Sequence, residues 1–379
     1  MSPIKRTLQK AIEEALTGAS HKIIILYGPR QVGKTTLLDR ITHLLPYKTL
    51  RITADEQKYV DILSSRDLLK LTGLVSGYDC LYLDEAQRIS DIGLTLKLLH
   101  DHHKTLRIVV SGSSSFDLAN KIKEPLTGRT QTFYLYPLSI QELASDFNDT
   151  ELGHKLETIL QYGLYPDIVT TESIHQKEAY LRELAASYLY KDILDFDLIR
   201  HSNKLHKLLQ LLAFQIGAQV SVSELGRNLG LAQETVAHYI YLLEKSFVVF
   251  RLPGFSQNLR KEVTKMDKIY FYDIGIRNAI IENFNPLSLR TDGGHLFENF
   301  LISERIKRNH YLNYPKKSYF WRLNTGAEID YIEEGGGTLQ GYEFKFSTKT
   351  AKCPSSWVET YPHAEYKTIN LNTYLEFIS

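Results

Sequence analysis

The chain has 379 residues, of which 43% are hydrophobic and 23% charged, and its formal net charge is +1. That length supports two or three domains with cores of their own, and the near-neutral balance excludes a partner held by bulk charge alone, so any nucleic-acid contact must come from a local patch. Two cysteines, Cys80 and Cys353, supply neither a four-ligand zinc site nor a disulfide framework. The charged, helical opening MSPIKRTLQKAIEEALTG has no apolar secretory core, and no apolar run approaches the ~20 residues of a membrane span, so a cytoplasmic setting is expected.

The first part of the chain alternates strand and helix signals. KIIILYG, YKTLRIT, CLYLDEA and LRIVVSG are short apolar runs that each end near a turn or polar residue, as buried parallel strands do. Amphipathic stretches at 34–45 and 91–103 lie between them. The expectation is an α/β fold, a βαβ-built parallel sheet with helices on both faces.

Within it, YGPRQVGKTT matches G-x-x-x-x-G-K-[ST] at Gly28, Gly33, Lys34 and Thr35, after a strand and at the opening of a helix. The segment Gly28, Pro29, Arg30, Gln31, Val32, Gly33, Lys34, Thr35 and Thr36 is therefore the candidate phosphate cradle. Glycines let main-chain N–H groups turn inward, and the helix N-terminus favours an anion. In this pattern Lys34 reaches the β- and γ-phosphates of ATP and Thr35 ligates Mg²⁺. CLYLDEAQ ends its strand in two acids: Asp84 would hold the magnesium shell, and Glu85 would orient and deprotonate the attacking water. The next strand ends in hydroxyls, so Ser111 or Ser113 is placed to hold the water or the γ-phosphate, against the plainer alternative of a serine-rich turn. Arg129 is either an arginine finger, in its own subunit or a neighbour, or one partner of a surface salt bridge.

YGPRQVGKTTLL, LYLDEAQ, SGSSSFDL, LTGRTQTFYLYPLSIQEL and YGLYPDIV follow one another in that order. Together they resemble a widespread prokaryotic family of AAA-type P-loop ATPases, related to the AAA+ and STAND groups, whose members carry a C-terminal domain of unknown function. The resemblance covers nearly the whole chain and implies ATP turnover. It also implies that Gly163 and Pro166 pack on the adenine, although their spacing exceeds Gly-x-Pro by one, and a simple helix break is the alternative.

Residues 151–199 read as helical with a break at YGLYPDIV, and three further helical stretches lie between 203 and 281. VSVSELGRNLGLAQETVAHYIYLLEKSFVVFRL reads as helix–turn–helix followed by a strand, with Ser223 as cap, Gly230 closing the first helix and 232–245 forming the second. SFVVFRL and KIYFYD would form a wing, completing a winged helix. A DNA-binding version would present Gln233, Thr235 and His238 to bases and Arg251, Arg260, Lys261 and Lys265 to phosphates. The alternative is a packing or protein-binding module, since Glu234 and Glu244 dilute the charge.

The last part opens with a helix carrying Glu298 and continues in strands. Asp330 lies on one strand of a hairpin and Glu343-x-Lys345 on the next, so Glu343 and Lys345 leave the same face. The order E…D…ExK resembles the PD-(D/E)xK, or restriction-endonuclease-like, fold. In that fold the acids converge on a divalent cation and the lysine positions water. The alternative is a half-exposed strand with solvated acids.

The expected layout is 1–148 ATPase core, 149–200 helical lid, 201–285 winged helix and 286–379 small α/β restriction-endonuclease-like domain. Three functions are compatible with it. One is an ATP- and Mg²⁺-dependent ATPase that repositions its C-terminal domains. The others are an ATP-gated nuclease of DNA or RNA and a nucleotide-driven signalling switch that binds only protein. Oligomers are compatible with all three.

Overall fold

The computed structural model describes residues 4–112, 126–187, 202–256, 266–314 and 316–379. They divide into two compact units. One ends at Tyr136 and also takes in Lys245–Phe247; the other comprises Pro137–Glu244 and Val248–Ser379.

The first unit begins with helix α1 (Leu8–Thr17) and strand β1 (Ile23–Tyr27), followed by α2 (Lys34–Leu44) and β2 (Thr49–Thr53). Next come α3 (Gln57–Ser64), α4 (Leu68–Val75), β3 (Cys80–Asp84), α5 (Ile92–His102), β4 (Arg107–Gly112) and β5 (Thr130–Tyr134). The five strands form one parallel sheet in the order β2-β3-β4-β1-β5. Every residue of β1 and β3 is buried, which is why both read as continuous apolar runs. β5 has no such run. TQTFY lies at the sheet edge with no fully buried residue, so its sequence is half polar and gives no strand signal. The order has one functional consequence: β4 lies between β1 and β3, so the chain ends of all three meet at one edge.

The second unit is richer in helix. It contains α6 (Ile140–Leu143), α7 (Asp149–Tyr162), α8 (Pro166–Thr170), α9 (Ile174–Ser187), α10 (Ser202–Phe214), α11 (Val222–Leu229) and α12 (Gln233–Lys245). Then follow the antiparallel pair β6 (Val249–Leu252) and β7 (Lys268–Phe271), α13 (Ile274–Ile280) and the long α14 (Gly293–Tyr311). A mixed four-stranded sheet has the order β11-β10-β9-β8, from β8 (Lys317–Arg322), β9 (Glu328–Gly335), β10 (Thr338–Lys345) and β11 (Glu365–Asn370). Its aromatic core joins Phe255, Tyr319, Trp321, Ile329, Ile332, Trp357 and Tyr361. The segments read separately as lid, winged helix and nuclease-like domain share this one compact unit.

The helix–turn–helix pair differs from expectation at its cap. Ser221, not Ser223, accepts the Glu224 amide at 3.3 Å, and Ser223 lies inside the first turn. A capping hydroxyl needs an amide two or three residues ahead, and only Ser221 stands at that spacing from a free N–H. Gly230 closes the helix in the left-handed region as anticipated.

Helix α14 organises the unit. It is buried on nearly all sides, so its polar side chains must find partners indoors. Asn299 exchanges two hydrogen bonds with the Phe271 main chain, both 2.8 Å, and so completes the edge of β7. Glu304 accepts from the Ile140 amide at 2.7 Å and from Lys307 at 2.7 Å. Arg305 forks onto Glu333 of β9 at 2.7 and 2.8 Å, and Asn309 and Lys316 donate to the same carboxylate.

Burial alone would raise the Glu333 carboxyl, but its donors, Arg305 first, hold it at about 2. A carboxyl held below its unfolded value adds stability above that value and loses it as the acid form returns. Stability should therefore fall as pH drops from about 4.5 toward about 2. Glu333→Gln should cost roughly 3–5 kcal/mol at neutral pH, because it strands Arg305, and should flatten that acid limb. Urea titrations across pH measure both; an unchanged acid slope in the variant would show that Glu333 does not set it.

Candidate functional site

β1 runs into the loop 28–33 and then into α2. Gly28 must be glycine, because a methyl group there would collide with the carbonyl oxygen of Leu135, whose N–H donates to Tyr27 O at 2.7 Å. Gly33 sits at φ +92° at the N-cap of α2, the left-handed turn that brings the loop back over the helix end. Lys34 is buried and donates to the carbonyls of Gly28 at 2.9 Å and Pro29 at 2.7 Å, so its ammonium lies within the cradle.

The strand order then delivers three chain ends to one carboxylate. Thr35, at the start of α2, donates from its hydroxyl to Asp84 Oδ2 at 2.8 Å. Ser111, fully buried at the end of β4, donates to Asp84 Oδ1. The Glu85 amide donates to the same oxygen at 3.0 Å. A threonine hydroxyl against an aspartate is a hard oxygen pair, the donor chemistry that Mg²⁺ and its waters take, so these residues fit that ion. Glu85 is held at φ +53°, a left-handed conformation uncommon outside glycine, and its carboxylate accepts from Gln87 Nε2 at 2.5 Å.

Arg6 is a participant that no motif flags. Its buried guanidinium donates to Val32 O at 2.8 Å and to Tyr136 O at 2.6 Å, and so ties the loop to the segment after β5. A lone arginine before β1 carries no spacing signal, which is why the sequence does not reveal it.

Other expected residues fall elsewhere. Arg129 precedes Thr130, which pairs with Ile23, so it stands at the end of the sheet opposite the loop. It is bound to Asp101 at 3.2 Å. At roughly 3.3 Å per residue the length of β1 separates it from Lys34, and the arginine-finger role within one chain is therefore corrected to a salt bridge. Ser113 lies outside the described residues, as do Arg260, Lys261 and Lys265. Arg251 is paired with Glu244 at 3.0 Å and Asp267 at 3.8 Å, so its charge is met internally rather than offered to phosphate.

Gly163 and Pro166 belong to the second unit and are placed by its own packing. Gly163, at φ +75°, leaves no room for a side chain beside the Asp273 carboxylate, which accepts the Leu164 amide at 2.7 Å. Pro166 opens α8 at its first position, where a missing N–H costs nothing.

Of the C-terminal residues, Asp330 of β9 interacts electrostatically with Glu298 of α14 and Glu343 of β10, and Lys345 of β10 interacts with all three. Burial, then Glu298 and Glu343, push the Asp330 carboxyl up to about 8, while it accepts the Phe344 amide at 2.8 Å. Lys345 donates to Glu343 at 2.7 Å. Burial would raise Glu298 as well, but Lys268, His295 and Tyr270 bring it below its ordinary value.

Comparison with known proteins gives three matches along the chain. Residues 20–144 match the model of an AAA domain. The first unit thus has the α/β fold of P-loop nucleotide-binding domains, and its sequence is similar to AAA domains. Residues 153–287 and 293–370 match two domains of unknown function, DUF8612 and DUF4143. An uncharacterized protein of Mycobacterium tuberculosis is 29% identical, over 85% of this chain and 70% of that protein. One from Methanocaldococcus jannaschii is 27% identical, over 82% and 74%. Among solved structures, one described as the Walker-type ATPase of Pyrococcus abyssi aligns with a TM-score of 0.52 at 15% identity, covering 72% of this chain and 94% of that one. That likeness is one of fold. Among the described residues, no helix is long and apolar enough to cross a membrane.

Gly28→Ala tests the cradle's packing. Its methyl must displace the Leu135 backbone, so the variant should lose about 1–3 kcal/mol of stability and bind ATP more weakly. Thermal unfolding with and without ATP reads both; a fully stable variant with unchanged affinity contradicts the close approach.

Proposed function

We propose that the chain binds ATP with Mg²⁺ at the loop 28–36, hydrolyses it, and uses the cycle to reposition its second unit. The observation that carries this is the convergence of Thr35 and Ser111 on Asp84 at the mouth of the phosphate loop. Lys34 would exchange the carbonyls of Gly28 and Pro29 for the β- and γ-phosphates. Thr35 and Asp84 would hold the magnesium, which neutralises charge on the transferred phosphoryl group. Glu85 would exchange Gln87 for the attacking water and take its proton, and Ser111 would keep Asp84 oriented.

A route for output starts at the same loop. Gly28 abuts Leu135, and Arg6 bonds Tyr136, the last residue before the chain passes into the second unit. Phe247, in the short segment Lys245–Phe247 that also belongs to the first unit, packs on the rings of Tyr134 and Tyr136. A shift of the loop on phosphate binding would therefore reach Tyr136 and that segment.

Lys34→Ala should abolish nucleotide binding in calorimetry. Glu85→Gln should bind ATP with near-normal affinity and release no phosphate. Normal turnover by purified Glu85→Gln would remove that residue from the mechanism.

The gathering of Glu298, Asp330, Glu343 and Lys345 favours a second reading, a metal-dependent phosphodiesterase gated by ATP. Incubation of plasmid or single strands with Mg²⁺ or Mn²⁺, with and without ATP, tests it. Products are expected from the unaltered chain with ATP and none from Asp330→Ala; persistence in that variant assigns the cleavage to something else.

A further inference from the structure

Among the C-terminal acids stands a cation that belongs to none of the motifs. Lys268 opens β7, outside the four-stranded sheet, and its side chain is only 2% exposed. Its ammonium lies 2.6 Å from Glu328 Oε1 and 3.3 Å from Glu298 Oε1, with the Phe320 ring 5.2 Å away. The β6–β7 pair carries it in. Beyond β6, Phe255 N donates to Phe320 O at 2.6 Å and Phe320 N to Pro253 O at 3.0 Å, which fastens that pair along β8. From there Lys268 faces the start of β9, where Glu328 and Asp330 stand.

The other contacts of the cluster are also internal. Tyr270 donates its hydroxyl to Glu298, and His295 approaches the other Glu298 oxygen at 3.8 Å. Arg322 lies 3.6 Å from Glu328. Asp330 takes the Phe344 amide and Glu343 takes Lys345. Among the described residues, no three His, Cys, Asp or Glu side chains are arranged to hold a metal ion. Acids brought together in a protein interior repel unless a cation stands between them, and here the chain supplies one.

We propose that Lys268 is an internal counter-ion seated where a divalent cation would meet Glu298 and Asp330, so that the β6–β7 pair holds this site closed. The inference rests on the reading of these acids as a cation site. An ammonium offers three donors but no empty coordination site, so while its donors are held by these carboxylates it cannot do what a metal would do for a phosphate oxygen and a bound water.

The test is Mn²⁺ binding to the full chain without nucleotide, followed by calorimetry and electron paramagnetic resonance. The unaltered chain should show no Asp330-dependent Mn²⁺ site at millimolar metal. Lys268→Met should gain one, at least about tenfold tighter than anything in the unaltered chain, and Lys268→Met with Asp330→Asn should lose it. An Mn²⁺ site in the unaltered chain that Asp330→Asn removes overturns the counter-ion and leaves the cation-site reading standing. A folded Lys268→Met chain with no Mn²⁺ site overturns both. If that variant does not fold, Lys268→Gln, which keeps two donors, carries the same test. If neither folds in metal-free buffer, Mn²⁺ during refolding should restore both, and failure to do so overturns the proposal.

Discussion

A carboxylate removed from water must be met by donors, and this constraint shapes both units of the protein. In the first it acts through Asp84. The side chain ends a fully buried strand and has no solvent to turn to. It is satisfied by a hydroxyl from α2, a hydroxyl from β4 and the amide of the next residue. Three chain segments are thereby fixed relative to one another at the edge of the sheet where the glycine loop opens. The arrangement that stabilises the acid is also the one that a magnesium–phosphate group would use.

The same constraint explains how a run of apparently separate segments becomes one body. Helix α14 has no single apolar stripe; it is largely enclosed, and several of its polar side chains are matched to different elements. Asn299 completes the edge of β7, Glu304 receives the amide that opens α6, and Arg305 forks onto β9. Asp273 plays a similar part between the break after α7 and the start of α13, accepting the amides of Leu164 and Ile276. Pairing of this kind gives specificity of arrangement, because a shifted helix would leave several buried groups unmet at once.

Against this background the acidic hairpin takes on a different character from the phosphate loop. At the loop, the buried Lys34 bonds neutral carbonyls that can be exchanged for an anion. At the hairpin, the buried Lys268 bonds two carboxylates directly. The lysine of the loop faces neutral groups, whereas Lys268 is engaged by Glu298 and Glu328 while Asp330 nearby is pushed up to about 8.

The sequence by itself determined the strands that are buried on both faces, the phosphate loop and the acid pair that ends β3. Those features arise from local rules: continuous apolar runs, glycines where the backbone must turn left-handed, and a fixed spacing between loop, lysine and threonine. It likewise determined that Glu343 and Lys345 share a face, because side chains alternate along a strand. Tertiary structure alone decided the rest. The edge strand β5 is half polar and takes its place by pairing with β1. Arg129 is sent to the far end of the sheet by that same register. Arg6 and Lys268 reach their sites from distant stretches whose local patterns, a helix and a strand, do not show which groups these two side chains meet. A contact between residues far apart in the chain is set by which buried charges and carbonyls remain to be satisfied once the elements have packed, and no local spacing encodes that outcome.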